Sequence, residues 1–337
     1  MAKKYRVSIL GDGGWGTALA VTSALRKNDV LLWSAFPDYA KVLESKHENI
    51  KFLPGVPLDP AIRISSNLAE AVRFGEILVL AIPTQFVRNV LYKVKEIPFS
   101  GKVIVSVSKG IEKKTCLRPS EIITSILGPG TRIVVLSGPS HAEEVARNIP
   151  TLVVTASARG EDAALVQDAF LSTYFRIYVQ TDVVGVELGG GLKNVIAIAA
   201  GVCDGLQFGD NTKAGLISRG LFEMTRLGIR MGANPNTFFG LSGLGDLVTT
   251  CYSKHGRNLR VGHLLGEGKK IKEILSGMET VAEGVDTAEG VHHLCTRLKL
   301  ELPIMTEVYN ILFKDKDARQ AVIDLLQRDA HEEWKQY

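Results

Sequence analysis

Arg6-Val7-Ser8-Ile9-Leu10-Gly11-Asp12-Gly13-Gly14-Trp15-Gly16-Thr17-Ala18-Leu19-Ala20 opens as a short apolar strand, breaks at a glycine cluster and resumes as a helix former. Gly11, Gly13 and Gly16 stand at the spacing G-x-G-x-x-G. Each glycine has its own task in a dinucleotide site. Gly11 allows the tight strand-to-helix turn, Gly13 lets the backbone approach a pyrophosphate, and Gly16 lets the new helix pack close to the strand. The helix start then turns N–H groups and the positive end of its dipole toward the phosphates. A glycine-rich turn without a ligand is the plainer reading. The position between a strand and a helix favours the nucleotide.

The runs that follow extend this pattern. Val30-Leu31-Leu32-Trp33, Ile77 to Pro83, Val103 to Ser108 and Ile133 to Leu136 read as buried strands, Ile62-Arg63-Ile64-Ser65 as a short strand, and Leu152 to Thr155 and Phe175 to Val179 as strands that extend the sheet. Continuous apolar strands separated by helical patterns predict a parallel sheet covered on both faces. The fold class is therefore α/β, a Rossmann-like doubly wound N-terminal domain. At the end of the second strand, about 20 residues past the glycines, an acid favours NAD and an arginine favours NADP. Ser34, Ala35 and Phe36 supply neither. Phe36 either stacks on adenine or fills a surface groove, and the coenzyme stays open between NAD and NADP.

From about Val183 strand-like runs give way to helical ones: Val186 to Leu206, Thr212 to Met231, Asn258 to Leu265, Lys272 to Leu275, Thr287 to Leu298 and Pro303 to Leu312. An all-helical C-terminal domain follows, with residues 1–190 assigned to the dinucleotide domain and 191–337 to the helical one. A helix spanning the join leads us to expect tight packing and a cleft between the domains. At 337 residues the chain is long enough for two cores. A net charge of +4 suits a small anionic substrate and gives little support to nucleic-acid binding. Cys116, Cys203, Cys251 and Cys295 lie far apart, which disfavours a zinc or redox motif and leaves no metal site expected. The N-terminus runs straight into the first strand, and no uninterrupted apolar run approaches the roughly 18 residues of a membrane span. The expectation is a soluble, cytoplasmic protein with no membrane insertion.

Lys193 carries the most chemical interest. It sits in a stretch of Gly, Ala, Val, Ile and Leu, where a charge needs a partner or a task. Desolvation there would let it trade a proton with a substrate oxygen near neutral pH; the alternative is a lysine that snorkels to water. Asp246, in Leu241-Ser242-Gly243-Leu244-Gly245-Asp246-Leu247, either caps a helix or holds the Lys193 ammonium. Arg257 beside Asn258 offers a planar fork and an amide suited to a phosphate monoester. Lys109, Gly138 and Ser140 fall at strand ends, where ligands of this fold sit. The residues thus describe an NAD(P)-dependent oxidoreductase of a small anionic alcohol or ketone, with a lysine moving the proton.

Taken together, GDGGWGTALA, SVSKGIE, LSGPSHAEEVA, ELGGGLKNVIAIAAG, GLSGLGDLVTTC, GRN and VAEGV closely resemble the NAD(P)-dependent glycerol-3-phosphate dehydrogenases of the soluble bacterial type. The resemblance runs in family order as far as Val285. It implies interconversion of sn-glycerol 3-phosphate and dihydroxyacetone phosphate by a cytoplasmic homodimer that supplies phospholipid synthesis. By position it makes Lys193 the general acid/base, Asp246 its orienting partner, and Lys109 a contact to both substrate and nicotinamide. Arg257 and Asn258 would clamp the phosphate, with Gly138 and Ser140 lining the substrate pocket. Gly11, Gly13, Gly14, Trp15, Gly16, Ala35, Phe36, Ala142, Val281 and Glu283 would serve the dinucleotide, together with Lys109 and Arg257. Two departures stand out. Gly256 replaces a frequent serine, leaving its backbone N–H to serve the phosphate, and Ala35 and Phe36 replace a frequent basic residue, which leans the coenzyme toward NAD.

The competing readings are a related two-domain hydroxyacid-type dehydrogenase and a non-catalytic nucleotide sensor. The former includes 3-hydroxyacyl-CoA types, which need a histidine acid/base that the chain does not single out. Lys193, Asp246 and Arg257 speak against the latter.

Overall fold

The computed structural model describes residues 3–253, 256–278, 281–329 and 332–333. The chain divides into two units: Met1–Ser108 with Arg118–Val186, and Lys109–Leu117 with Glu187–Tyr337. The second unit thus resumes at Glu187, four residues before the start expected at 191, and it takes in a nine-residue excursion from the first half of the chain.

Eight strands form the first unit's sheet: β1 (Arg6–Leu10), β2 (Asp29–Trp33), β3 (Arg63–Ser65), β4 (Ile77–Leu80), β5 (Val103–Ser106), β6 (Arg132–Ser137), β7 (Thr151–Ala156) and β8 (Phe175–Gln180). Their order is β3-β2-β1-β4-β5-β6-β7-β8. β4 and β5 are buried along their whole length, as central parallel strands require. The winding reverses between β1 and β4, which pair in parallel from Val7 with Ile77 to Leu10 with Leu80. That reversal places a ligand crevice at the carboxyl ends of these two strands.

One pair departs from the parallel sheet expected from the apolar runs. β6 and β7 are antiparallel, with Val135 opposite Ala156. The connection from 138 to 150 holds only the single helical turn Ala142–Val145. It never crosses back over the sheet, so the chain re-enters in the opposite direction. The longer crossover helix Gly160–Phe170 then restores a parallel β7–β8 pair.

The second unit is helical among its described residues, and its centre is the helix Val183–Gly205, which starts just before the division. By length and composition this helix could cross a membrane, although Glu187, Lys193 and Asn194 interrupt its apolar run. Its most apolar window is 83% buried within the fold, as in a core helix. Glycines let a second helix, Arg257–Gly266, lie almost backbone to backbone with it. A Cβ at Gly262 would stand 1.9 Å from the Ile198 carbonyl oxygen, and one at Gly201 would stand 2.1 Å from that of Leu259. Ile198 meets Gly262 and Val202 meets Gly266, so the two helices run in the same direction. This brings the start of the second helix, with Asn258, level with Asn194. All four cysteines are buried free thiols.

Candidate active site

In the first unit the glycine loop has the shape that its sequence predicts. Gly11 leaves β1 with φ +120°, and its N–H donates to the Trp33 carbonyl at 3.1 Å. A Cβ there would lie 2.3 Å from the Ala81 oxygen, and one at Gly16 would lie 2.0 Å from the oxygen of Gly11. Gly13 differs. It caps the helix Gly14–Leu25, and a Cβ on it would meet no described atom within 4 Å. The first turn carries no acidic side chain. An open backbone at a helix N-terminus whose first turn bears no acidic side chain fits the pyrophosphate of a dinucleotide.

Asn49 braces this loop by donating to the Asp12 carbonyl and to Thr17 Oγ1, both at 2.7 Å. Ala142 comes beside Gly14, its Cβ 3.5 Å from where a side chain would begin. The Trp15 indole packs at the edge of the core, with its ring centroid 6.4 Å from that of Phe175, so any phosphate contact from this residue falls to its backbone. Ala35 and Phe36 are exposed beyond β2, Phe36 at 65%. Asp12 is buried, and burial raises its carboxyl above the usual range although the Ser34 hydroxyl bonds to it. Gly138 follows β6 with φ +139°, and the Ser140 hydroxyl donates to its carbonyl at 2.9 Å.

In the second unit the reactive side chains converge. Lys193 Nζ donates to Asp246 Oδ1 at 2.5 Å and to Thr250 Oγ1 at 2.6 Å, while Lys109 Nζ donates to Asp246 Oδ2 at 2.7 Å. Asp246 is 1% exposed and Lys193 6%. One carboxylate shared by two ammonium groups leaves a net positive charge in a buried site, which favours an anionic oxygen. Among the described residues, Asp246 and Thr250 take two of the three Lys193 donors, so the inventory of an ammonium leaves one for a substrate oxygen. Burial pushes Lys193 down from the ordinary lysine value to about 8; Asp246 opposes that fall and Lys109 adds to it. Nearby Cys251 is fully buried, and burial pushes its thiol up to about 12, so it stays protonated.

Glycines again explain the convergence. Just before Lys193, a Cβ at Gly189 would lie 2.5 Å from the Ser242 oxygen, and one at Gly191 would lie 3.3 Å from Gly110. Two residues apart, the glycines sit on different faces of the helix, and each admits one segment. One is the π-helical turn Leu241–Gly245, which delivers Asp246 at the start of the helix Asp246–Tyr252. The other is the strand-end segment that begins with Lys109. Asp246 is thus both a helix starter and the partner of Lys193.

Thr250 escaped the sequence reading. Its signal is the spacing of four from Asp246, which places both on one helix face. Asn194, next to Lys193, donates its side-chain amide to the Lys109 carbonyl at 3.0 Å. Asn258 Oδ1 accepts the Gly284 N–H at 3.0 Å, which ties the helix start at Arg257 to the segment carrying Glu283. Arg257 is exposed at that start, and Val281 is 38% exposed. The Gly256 N–H, expected to serve the phosphate in place of a serine side chain, donates to the Ser253 carbonyl at 3.1 Å, and the first-turn N–H groups of Arg257 and Asn258 follow it at this helix start.

Comparison with known proteins agrees with both halves. Residues 6–163 match the family model for the N-terminus of NAD-dependent glycerol-3-phosphate dehydrogenase, and residues 182–323 match that for its C-terminus. A glycerol-3-phosphate dehydrogenase [NAD(P)+] of Chlorobium phaeobacteroides (strain BS1) is 46% identical over 330 residues, covering 97% of this chain and 99% of that protein. One from Citrifermentans bemidjiense is 47% identical over 333 residues, covering 98% of each. The crystal structure of glycerol-3-phosphate dehydrogenase from Coxiella burnetii superposes with a TM-score of 0.93 at 36% identity, covering 96% of this chain and 99% of that one.

Proposed function

Because the chain belongs to the NAD-dependent glycerol-3-phosphate dehydrogenase family, we propose that it interconverts sn-glycerol 3-phosphate and dihydroxyacetone phosphate with NAD or NADP. The observation that carries the chemistry is the buried Lys193–Asp246–Lys109 cluster. When bound, the reduced nicotinamide supplies a hydride to the substrate C2 carbon. Lys193 gives its proton to the C2 oxygen in the reductive direction and takes it back in the oxidative one. Asp246 holds the ammonium in place, and the second charge, from Lys109, stabilises the oxygen as negative charge develops on it. Thr250 fixes the direction of the remaining Lys193 donor. The Arg257 fork and Asn258 hold the phosphate, and that anchoring supplies positioning at C2.

The assignments of Gly138 and Ser140 to substrate, and of Gly14, Trp15, Ala35, Phe36, Ala142, Val281 and Glu283 to the dinucleotide, rest on the family likeness. So do the homodimer, the cytoplasmic setting and the supply of phospholipid precursor. NADH is the favoured reductant in this reading, because Ala35 and Phe36 offer no cation for a 2′-phosphate and Asp12 lies beside Ser34. Following reduced-nicotinamide absorbance with dihydroxyacetone phosphate and either NADH or NADPH tests the reaction and the preference together. Oxidation of neither, in protein that binds both, contradicts the assignment.

A further inference from the structure

Residues 109–117 leave the end of β5 and return to the helix Pro119–Leu127, yet they belong to the helical unit. Their docking there is extensive. Asn194 holds the Lys109 carbonyl, and Gly110 lies against Gly191. Ile111 is 1% exposed and fills the place where a side chain on Gly290 would begin, its Cγ2 3.1 Å from that point. Lys113 Nζ stands 3.2 Å from Asp286 Oδ1 and 4.0 Å from Glu289 Oε2, and its carbonyl lies 3.4 Å from His293 Nδ1. Asp286, Glu289, Gly290 and His293 follow one another at i, i+3, i+4 and i+7 on the helix Glu283–Leu298, so they form one docking face. The segment is also closed on itself, with the Glu112 N–H on the Leu117 carbonyl at 3.0 Å and the Cys116 N–H on the Glu112 carbonyl at 2.8 Å.

We propose that Lys113 and Asp286 are positioning residues for the reaction: their ion pair latches the segment 109–117 to the helix Glu283–Leu298 and so holds the Lys109 ammonium against Asp246. This rests on the reading of Lys193 as the proton carrier. The charged and titratable groups facing Lys193 are Asp246, Lys109 and Cys251. Lys109 is the one that lies on a segment tethered from outside the cluster. Releasing the latch withdraws a positive charge from beside Lys193, and its proton is then held to a higher pH.

The test is a charge swap read by dihydroxyacetone phosphate reduction across pH. Lys113→Glu and Asp286→Lys are each expected to lower kcat about threefold to fivefold, the upper range for a part-exposed pair. Each should also move the alkaline limb of the profile upward, with the KM for NADH held within twofold. The double variant should recover to within about twofold and return the limb to its wild-type place. Lys113→Arg should behave as wild type. Additive losses in the double variant, or singles that lose activity with the limb unmoved, overturn the latch. Near-normal turnover in Lys193→Ala removes the underlying reading instead. A dead Lys193→Ala alongside wild-type-like latch variants overturns the latch alone.

Discussion

Replacing Asp246 by Asn keeps the shape of the site and removes the one charge that two ammonium groups share. Both carboxylate oxygens are engaged, at 2.5 Å to Lys193 and 2.7 Å to Lys109, and the side chain is 2% exposed. Breaking a buried pair by deleting one partner costs about 3–5 kcal/mol when the remaining charge has no escape. Here it has one. With Lys193 already at about 8, shedding its proton at pH 7.5 costs only about 0.7 kcal/mol, at 1.36 kcal/mol per unit. Losing Asp246 takes away the main interaction that supports the charged form, so the folded-state value falls further below the unfolded lysine value. The folded protein then binds fewer protons than the unfolded chain over a wider range, and its stability rises with pH across that range. The stability deficit of Asp246→Asn is therefore large at pH 5.5 and small at pH 8.5. Reduction needs the protonated lysine, so the falling limb of kcat/KM moves from about pH 8 to lower pH, and activity at pH 7.5 drops about 10²-fold or more. Urea denaturation at the two pH values and a pH–rate profile measure both. A limb that stays in place or moves upward, with an equal stability loss at all pH, would refute the reasoning.

Three further outcomes follow from local geometry. Gly13→Ala should melt like wild type, because its Cβ meets no described atom within 4 Å, yet lose more than about tenfold in dinucleotide affinity as the methyl occupies the pyrophosphate approach; unchanged affinity by fluorescence titration contradicts the loop assignment. Gly262→Ala forces a Cβ to 1.9 Å from the Ile198 oxygen and should cost about 3 kcal/mol, seen as a lower urea midpoint; a wild-type midpoint contradicts the close helix pairing. Glu223 accepts the Ile304 and Met305 N–H groups at 2.7 and 3.1 Å at the start of the helix Pro303–Phe313, and burial pushes its carboxyl up to about 7, against those bonds and Arg226 and Arg219. Its contribution to stability falls as pH rises from about 4.5 to about 7, so Glu223→Gln should flatten the melting temperature across that window, and an unchanged slope would contradict it.

How far the sequence could be read depended on whether the signal was local. β4 and β5 announce themselves as unbroken apolar runs, and the glycine loop announces itself by spacing, because each is decided by neighbours in the chain. The antiparallel β7 was hidden, since its direction depends on how little helix the preceding connection contains. The turn that delivers Asp246 was hidden too: Leu241-Ser242-Gly243-Leu244-Gly245 has poor intrinsic helix propensity. This π-helical turn is stabilised by tertiary packing, with Gly189 admitting the Ser242 carbonyl. Lys193 stood out as a charge in an apolar helix. Thr250 did not, because a threonine carries no such contrast. The docking of residues 109–117 depends on Gly191 and Gly290, both far away in sequence, and no local pattern encodes it.

Whether Lys193 moves the proton is decided by the turnover of Lys193→Ala. Dihydroxyacetone phosphate reduction would be followed by loss of reduced-nicotinamide absorbance, with dinucleotide affinity titrated on the same protein. A proton-carrying Lys193 requires a fall in kcat of about 10³-fold, with dinucleotide affinity within twofold of wild type. Turnover within a few-fold of wild type would contradict it.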